Sequence, residues 1–417
     1  MKLGIVLVVV AALSVSMAVG APASKTDAPA TQPAEIVKVA AGNNAFALDL
    51  YAKLTAKEKG NVFFSPFSIE SALAMTYAGA RGETEKQMAK VLHFDLDQAG
   101  LHDGFGKLVA RLNAEETKDK PRNYQLAVAN SLWGQKGYPF KKEFLDVGAT
   151  KYGAGLFDVD FKSEPDKARQ VINKWVEGKT NAKIKDLLTE PDVKDDTRLI
   201  LVNAIHFKAD WYNKFMPGAT SEGDFKLDKD KSEKVPMMHQ TEYHPFLRTD
   251  DFRLLELRYK GNEVSMVIIA PEKVDGLADV EKQMTADKLA EWIGKAKAQK
   301  VQVTLPKFKT TLRLELAKTL QDMGMTDAFV FGKADFTGIE PERELFIGNV
   351  IHKAFISVDE TGSEAAAATA VTMKAGSAAR PAEPEKFTAD RPFMFLIRDN
   401  VSGAILFLGR ITNPKTE

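Results

Sequence analysis

The order of apolar and polar residues along the chain predicts a mixture of helices and strands. Helical spacing of apolar residues, roughly every three to four positions, recurs in residues 46–54, a segment starting at Ser68, and residues 166–188, 277–297 and 315–323. Strand patterns rich in β-branched and aromatic residues lie between them, in residues 123–133, 197–207 and 235–271. Because strands and helices are interleaved without a βαβ rhythm, an α+β fold is favoured over a doubly wound α/β fold.

The segment from residue 360 to residue 386 has an unusual composition for a folded region. Its sequence, ETGSEAAAATAVTMKAGSAARPAEPEK, contains almost no large apolar side chain, so on composition alone it is a linker. Both of its ends are nevertheless tied to the fold. Residues 345–358 predict a strand, and residues 392–397 and 404–408 predict a hairpin that needs a sheet to pair with. Long structureless loops inside compact domains are usually functional, so we expect the function here.

The N-terminus has the pattern of a secretory signal peptide. Met1 and Lys2 precede an apolar run that ends near Val19, followed by small residues. The run is shorter than the roughly 20 apolar residues of a membrane anchor. We therefore expect a cleaved signal at residues 1–23, a flexible segment at 24–43 and a single domain at 44–417. The protein is then secreted, extracellular or periplasmic, with no membrane association after cleavage.

Composition excludes several classes of function. The 417 residues include 57 Lys plus Arg and 57 Asp plus Glu, with 44% hydrophobic residues and no cysteine. The balanced charge favours no nucleic-acid partner, and the lack of cysteine removes disulfides, thiol nucleophiles and cysteine-bound zinc. One basic group is interrupted by acidic residues and is typical of a solvated surface: Lys107, Arg111, Lys118, Lys120 and Arg122.

The specific catalytic motifs are absent from the sequence. There is no Gly-x-Ser-x-Gly elbow, no His-Glu-x-x-His and no Walker-type loop. The spacing of His239 and His244 fits neither one helix face nor one strand face, so we expect no metal and no cofactor. A hydrolase that uses two of the 57 acidic residues stays open as an alternative.

Several long motifs, in order along the chain, resemble the serpin family. They are NVFFSPFSI at residues 61–69, LVNAIHFKADW at 201–211, LPKF at 305–308, HKAFISVDETGSEAAAAT at 352–369, RPF at 391–393 and the segment 407–414. The resemblance covers essentially all of the chain after the signal. It implies the serpin fold, with three β-sheets, eight or nine helices and an exposed reactive-centre loop at about residues 360–386.

The resemblance also implies a mechanism that fits the composition of the loop. In serpins, a target serine protease cleaves the loop through a covalent acyl complex, and the part before the cut inserts into the central sheet. Such a protein is a suicide inhibitor with a metastable fold and has no catalytic residues of its own. Small side chains suit the hinge, because a large or charged group there would be buried unpaired.

The hinge matches the inhibitory pattern, so a secreted inhibitor is preferred to a non-inhibitory serpin with a binding or chaperone role. The matching residues are Glu360, Gly362, Ser363, Glu364, Ala365, Ala366, Ala367, Ala368 and Thr369. We expect a monomer that can form loop–sheet polymers on heating.

Two further groups of residues carry over by family position. A polar network that must rearrange when the sheet opens comprises Asn61, Ser65, Ser68, Asn203 and His352. The alternative reading is that these side chains only satisfy buried backbone groups. The breach, where insertion starts, comprises Trp211, Lys307 and Glu360, and we predict an ion pair between Lys307 and Glu360.

The family spacing from Glu360 places the reactive bond between Gly376 and Ser377. The distal part of the loop is longer than in many serpins, so three other residues stay open as the cleavage position: Lys374, Ala375 and Arg380. A small residue before the cut suits an elastase-like or subtilisin-like target, whereas a basic residue suits a trypsin-like one. Small-residue specificity is ranked first on the size of the protease pocket.

Overall fold

Helices occupy much of the ranges that this computed structural model describes, which are residues 32–114, 124–363 and 383–415. Their bounds there are α1 Ala34–Lys57, α2 Pro66–Tyr77, α3 Gly82–Val91, α4 Gln98–Leu112, α5 Lys142–Tyr152, α6 Pro165–Lys179, α7 Leu277–Gln283, α8 Ala286–Lys295 and α9 Ala317–Met323. Side-chain caps define some of the starts, since free N–H groups at a helix end need acceptors. Ser65 accepts from the Ser68 N–H before α2, and Thr285 accepts from the Lys288 N–H before α8.

The strands in the described ranges form two hydrogen-bonded networks. Their bounds are β1 Val62–Phe64, β2 Tyr124–Gln135, β3 Gly155–Val159, β4 Leu199–Asp210, β5 Ser221–Lys226, β6 Ser232–Arg248, β7 Phe252–Arg258, β8 Val264–Pro271, β9 Lys297–Pro306, β10 Phe308–Glu315, β11 Ile351–Val358, β12 Gly362–Ser363, β13 Glu385–Thr388, β14 Phe393–Asp399 and β15 Ile405–Ile411. One sheet has six strands in the order β10-β11-β12-β4-β2-β3. The other has nine, in the order β1-β15-β14-β8-β7-β6-β9-β13 with β5 also on β6.

The nine-stranded network divides at Phe246. Residues 237–246 of β6 pair with β9, and only the last residues, 246–248, pair with β7. The network therefore comprises two sheets that share β6. With the six-stranded sheet this makes three sheets, and nine α-helices lie in the described ranges, so the predicted α+β fold is confirmed.

The main core lies between the six-stranded sheet and the strands β14, β15 and β1. Phe63 stacks on Phe395 and Phe407 with ring centroids 5.8 and 5.5 Å apart, and Phe207 of β4 lies 6.1 Å from Phe407. A second cluster, including Ile172 of α6, covers the other face of the six-stranded sheet. Both faces of β2 and β4 are thus covered, which explains their continuous apolar sequences.

The first helix starts earlier than the sequence analysis expects. The flexible segment proposed for residues 24–43 is wrong from Ala34 onward, because α1 begins there. Ile36, Val39 and Ala40 are buried and continue the apolar spacing of the helix toward Phe46. The folded domain therefore begins about ten residues before position 44, at the helix that follows Pro33.

Two of the predicted helices are also shorter than expected. The helix placed at residues 166–188 ends at Lys179, because Asn181 and Ala182 adopt positive φ angles of 49° and 59°, which a right-handed helix does not allow. The helix placed at residues 277–297 is two helices, since Thr285 is extended and caps the start of α8.

Candidate functional site

The candidate site is the point where the chain leaves β11 and enters the short strand β12. Ser363 pairs with Val358 of β11 on one side and with Ala209 of β4 on the other, and Gly362 pairs with Asp210. Along their remaining lengths, β11 pairs with β10 and β4 pairs with β2. Within the described ranges no β-pair joins β4 directly to β11, so β12 is the only link between them in the sheet.

Gly362 is held against the backbone of β4 too closely for any side chain. A Cβ atom at this position would lie 2.0 Å from the carbonyl oxygen of Ala209 and 2.8 Å from the Cα atom of Asp210. Non-bonded carbon and oxygen atoms do not approach so closely. Glycine is therefore required for β12 to occupy this place, which is a physical reason for the glycine of the predicted hinge.

Ser363 faces the interior of the molecule beneath the sheet. It is 1% exposed, and its hydroxyl lies 2.6 Å from the hydroxyl of Tyr259. Tyr259 stacks on Trp211 with centroids 4.5 Å apart and an interplanar angle of 10°. Ser363 is thus hydrogen-bonded to one member of an aromatic pair that lies beside β12. Tyr259 was not identified from the sequence, because nothing in the local pattern around it distinguishes it from a core tyrosine.

A turn between β11 and β12 is built on Asp359, a second residue that the sequence analysis missed. The Asp359 carboxylate accepts the N–H groups of Thr361 and Gly362 at 2.8 and 3.2 Å, and its own N–H donates to the Gly362 carbonyl at 3.0 Å. Trp211 holds the same turn, because its indole N–H donates to the Asp359 carbonyl at 2.9 Å. The available signal was the Asp-x-x-Gly sequence, which is typical of side-chain-supported turns.

The predicted ion pair between Lys307 and Glu360 is present beside this turn. The Lys307 Nζ lies 2.9 Å from Glu360 Oε2, and the Thr220 hydroxyl donates to Oε1 at 2.8 Å. The Glu360 side chain is 12% exposed. Burial alone would raise the pKa of Glu360, but the hydrogen bonds from Lys307 and Thr220, a backbone hydrogen bond and the charge of Lys307 together outweigh it and hold that pKa below its ordinary value.

Four residues of the predicted sheet-opening network lie together under β4 and β11. Ser65 donates its N–H to His352 Nε2 at 3.0 Å and its hydroxyl to the Leu406 carbonyl at 2.6 Å. Ser68 hydrogen-bonds Asn203 Oδ1 through its hydroxyl. The network thus connects the start of α2 to both strands that flank β12.

His352 is neutral in this network. Burial lowers the pKa of its imidazole to about 3, and because Nε2 accepts the Ser65 N–H, the ring proton lies on Nδ1. Asn130, which the sequence analysis missed, extends the network: it accepts from Asn203 Nδ2 at 2.5 Å and donates to the Tyr152 carbonyl at 2.9 Å. An asparagine in each of two apolar strands was the available signal.

Three other residues singled out in the sequence, Asn61, His239 and His244, lie outside the polar network under β4 and β11. Asn61 bonds the C-terminal segment after β15: it donates to the Asn413 carbonyl at 2.8 Å and accepts from the Thr412 N–H at 2.8 Å. The His239 ring lies 3.1 Å from the Thr304 hydroxyl, whereas His244 is 4% exposed. In the described ranges, no three histidine or acidic side chains are grouped as metal ligands would be.

The predicted reactive bond lies outside the described residues. This applies to Gly376, Ser377, Lys374, Ala375 and Arg380, to the distal hinge from Glu364 to Thr369, and to the signal segment. The described chain resumes before β13, which runs parallel to β9 in the nine-stranded network. The two ends of the loop are therefore anchored in different sheets. Over the ranges that are described, no helix has the length and hydropathy to cross a membrane.

Comparison with known sequences agrees with this geometry. The family model Serpin (serine protease inhibitor) matches residues 41–414. The leukocyte elastase inhibitor of Equus caballus is 42% identical over 387 residues, covering 90% of this chain and 100% of that protein. An uncharacterized serpin-like protein of Thermococcus kodakarensis is 42% identical over 372 residues, covering 89% of this chain and 85% of that protein.

Comparison with solved structures gives the same result for the fold. The crystal structure of human thyroxine-binding globulin superposes with a TM-score of 0.82 at 32% sequence identity. The match covers 92% of this chain and 100% of that one.

Proposed function

The chain belongs to the serpin family, and on that premise we propose that it is a secreted suicide inhibitor of serine endopeptidases. The family is named for protease inhibition rather than catalysis, so no residue of this chain is assigned a catalytic role. The main support for the proposal is the position of β12, because its residues Gly362 and Ser363 already lie between β4 and β11. The rest of the loop would continue from Ser363 into the space between these two strands.

The register of β12 predicts where each inserting residue would lie. Ser363 stands opposite Ala209 and Val358, and in an antiparallel ladder each step forward on one strand is a step back on its neighbours. Six positions on, Thr369 would lie between Asn203 and His352. Insertion would therefore reach the buried polar network in which His352 accepts a hydrogen bond from the backbone N–H of Ser65. The hydroxyl of Thr369 could then hydrogen-bond to side chains of this network.

The alternation of side chains along the loop fits insertion. Because Ser363 faces the interior and strand side chains alternate with period two, the residues that would face the core are Ala365, Ala367, Thr369, Val371 and Met373. The charged residues Glu364 and Lys374 would face outward. A small cavity lined by Phe207, Ile356 and Ser363 lies where Ala365 would enter, so a small side chain suits the first buried position after Ser363.

The proposed reaction begins with attack of the protease serine on the carbonyl before the scissile bond. An ester forms, the peptide C–N bond breaks, and the new amine leaves with residue 377. Roughly a dozen added backbone hydrogen bonds, at about 1 kcal/mol net each, would then drive insertion with about 10 kcal/mol. The native state is held kinetically until this cut, and insertion before deacylation would trap the ester.

Cleavage between Gly376 and Ser377 by an elastase-like or subtilisin-like enzyme remains our preferred target assignment. A small residue before the cut supports it, as does similarity to proteins named leukocyte elastase inhibitor. Cleavage after Lys374 or Arg380 by a trypsin-like enzyme is the alternative. Secretion is supported by the signal pattern at residues 1–23.

The test is to mix the protein separately with elastase, subtilisin and trypsin and to analyse each mixture on a denaturing gel. The released C-terminal fragment is then weighed by mass spectrometry. We expect a stable covalent complex with elastase or subtilisin and a fragment that begins at Ser377. A complex only with trypsin, with a fragment that begins at Ala375 or Pro381, would move the target to the trypsin class. Cleavage without any complex would indicate a non-inhibitory serpin.

A further inference from the structure

A groove beside the breach is not used by the proposed inhibitory mechanism. It lies between the chain after β4, the strand β6 and the turn from β7 to β8, and its free volume is about 190 Å³. That volume is below the roughly 300–1,000 Å³ of drug-sized sites, so the groove suits a small ligand only. A backbone hydrogen bond joins two of its walls, since the Tyr212 N–H donates to the Arg258 carbonyl at 2.9 Å.

Two tyrosines present their rings to this groove and to solvent. Tyr212 is 60% exposed and Tyr243 is 68% exposed, although both line the groove. Neither ring belongs to a ring pair in the part of the chain that the structure describes, whereas the neighbouring Trp211 and Tyr259 are stacked on each other. Free aromatic faces of this kind bind planar rings by offset or edge-on stacking.

The groove also has a positive end. Arg258 lines it with a half-exposed side chain, and its Nε lies 3.5 Å from Glu256 Oε1. None of the described residues that line the groove is acidic. The terminal nitrogens of a guanidinium bind a carboxylate through two parallel hydrogen bonds, so an anion fits this end better than a cation or a neutral group.

A buried histidine in the same groove lacks a hydrogen-bond partner. His244 is 4% exposed, and its Nε2 atom has no partner among the described residues. Burial, together with the nearby Arg258, lowers the pKa of His244 to about 4, so the ring is neutral at pH 7 and offers one donor and one acceptor. A buried polar atom without a partner is costly, and a ligand group would remove that cost.

From these three features we propose that the groove binds a small aromatic carboxylate, with its ring against Tyr212 and Tyr243 and its carboxylate on Arg258. A polar hydrogen-bonding group on the ring would pair with His244 Nε2. The site is separate from the loop hinge and does not depend on protease inhibition. Its volume of about 190 Å³ admits a single ring or a small fused two-ring compound rather than a drug-sized ligand or a polymer.

The test uses indole-3-acetate as the probe and the neutral indole-3-ethanol as its comparison. The protein is labelled with ¹⁵N-histidine, and the imidazole signal of His244, identified by its loss in His244→Asn, is followed during titration of each compound. We expect a saturable shift with the acid, at an affinity at least about tenfold higher than that of the alcohol. No saturable shift of the His244 signal, or equal affinities for acid and alcohol, would overturn the proposal.

Three substitutions separate the contributions of charge and of stacking from general surface effects. Arg258→Gln should abolish the preference for the acid over the alcohol, while Arg248→Gln, an exposed arginine of β6 outside the groove, should leave it unchanged. Tyr243→Ala should weaken both compounds, because it removes a stacking face. An unchanged preference in Arg258→Gln would show that the carboxylate does not bind there.

Discussion

Replacement of Gly362 by alanine tests the start of insertion at a single atom. The added Cβ would lie 2.0 Å from the Ala209 carbonyl oxygen, more than 1 Å inside ordinary van der Waals contact. The neighbour is backbone within a central strand, so it cannot rotate away. We therefore expect β12 to move out of its place between β4 and β11 in this variant.

The size of the effect on the insertion rate follows from the hydrogen bonds that this movement would break. They include the bond from the Trp211 N–H to the Thr361 carbonyl at 2.8 Å and that between Ser363 and Tyr259 at 2.6 Å, in addition to the pairing of β12 with β4. Loss of two or three bonds, at about 1 kcal/mol each, would raise the barrier to early insertion by about 2–3 kcal/mol. Insertion would then be slower by roughly 30-fold to 150-fold.

The assay measures how cleaved inhibitor divides between covalent complex and free cleaved protein after reaction with elastase. Slower insertion gives the acyl-enzyme time to hydrolyse, so Gly362→Ala should yield mostly free cleaved protein. Gly348→Ala is the matched control, because a Cβ at Gly348, just before β11, meets no atom within 4 Å. If Gly362→Ala formed as much complex as the control, the proposed role of the close contact would be refuted.

Three other perturbations test the surroundings of the hinge. Glu360→Lys replaces the ion pair with Lys307 by a repulsion and should speed polymer formation on heating, as followed on native gels; an unchanged rate would count against the pairing. Tyr259→Phe removes the bond to Ser363 and should lower the thermal midpoint by the equivalent of about 1 kcal/mol, whereas an equal midpoint would mean that the bond contributes nothing. Because the pKa of His352 is lowered to about 3 in the folded state, this residue costs no stability above pH 6.5 but reduces it by up to about 1.4 kcal/mol per pH unit below. Thermal midpoints of His352→Asn should thus fall less steeply between pH 6.5 and 5 than those of the unchanged protein, and parallel curves would exclude this contribution.

Much of the fold follows from local patterns. The strands β2 and β4 were predictable because apolar residues continue on both faces, and the hairpin of β14 and β15 because two short apolar runs flank a turn. The composition of residues 360–386 alone indicated a linker, and the assignment of this segment as a reactive-centre loop came from the family resemblance. The Lys307–Glu360 pair was predicted from family position rather than from local chemistry.

What the sequence could not provide depends on register and distant contacts. The closeness of Gly362 to Ala209 is set by pairing across the sheet, and nothing near either residue encodes it. The same holds for Asn130, which reaches Asn203 only because the two stand opposite each other in β2 and β4. The early start of α1 was missed for another reason: Ile36 and Val39 were read with the Pro/Ala-rich segment before them, although they face the core.

The central claim is that cleavage inserts the loop between β4 and β11 in the register of β12, and a disulfide can test it directly. The natural chain has no cysteine, so Lys353→Cys with Ala368→Cys introduces a single pair. The register extended from Ser363 and Val358 places these two residues opposite each other, within the separation of the Cα atoms that a disulfide spans. Ser357→Cys with Ala368→Cys is the control, since four residues along a strand displace the pair by roughly 13 Å. After cleavage of the loop and mild oxidation, the account predicts a crosslink in the 353–368 pair and none in the 357–368 pair. No crosslink in the 353–368 pair, or equal crosslinking in both, would contradict insertion in this register.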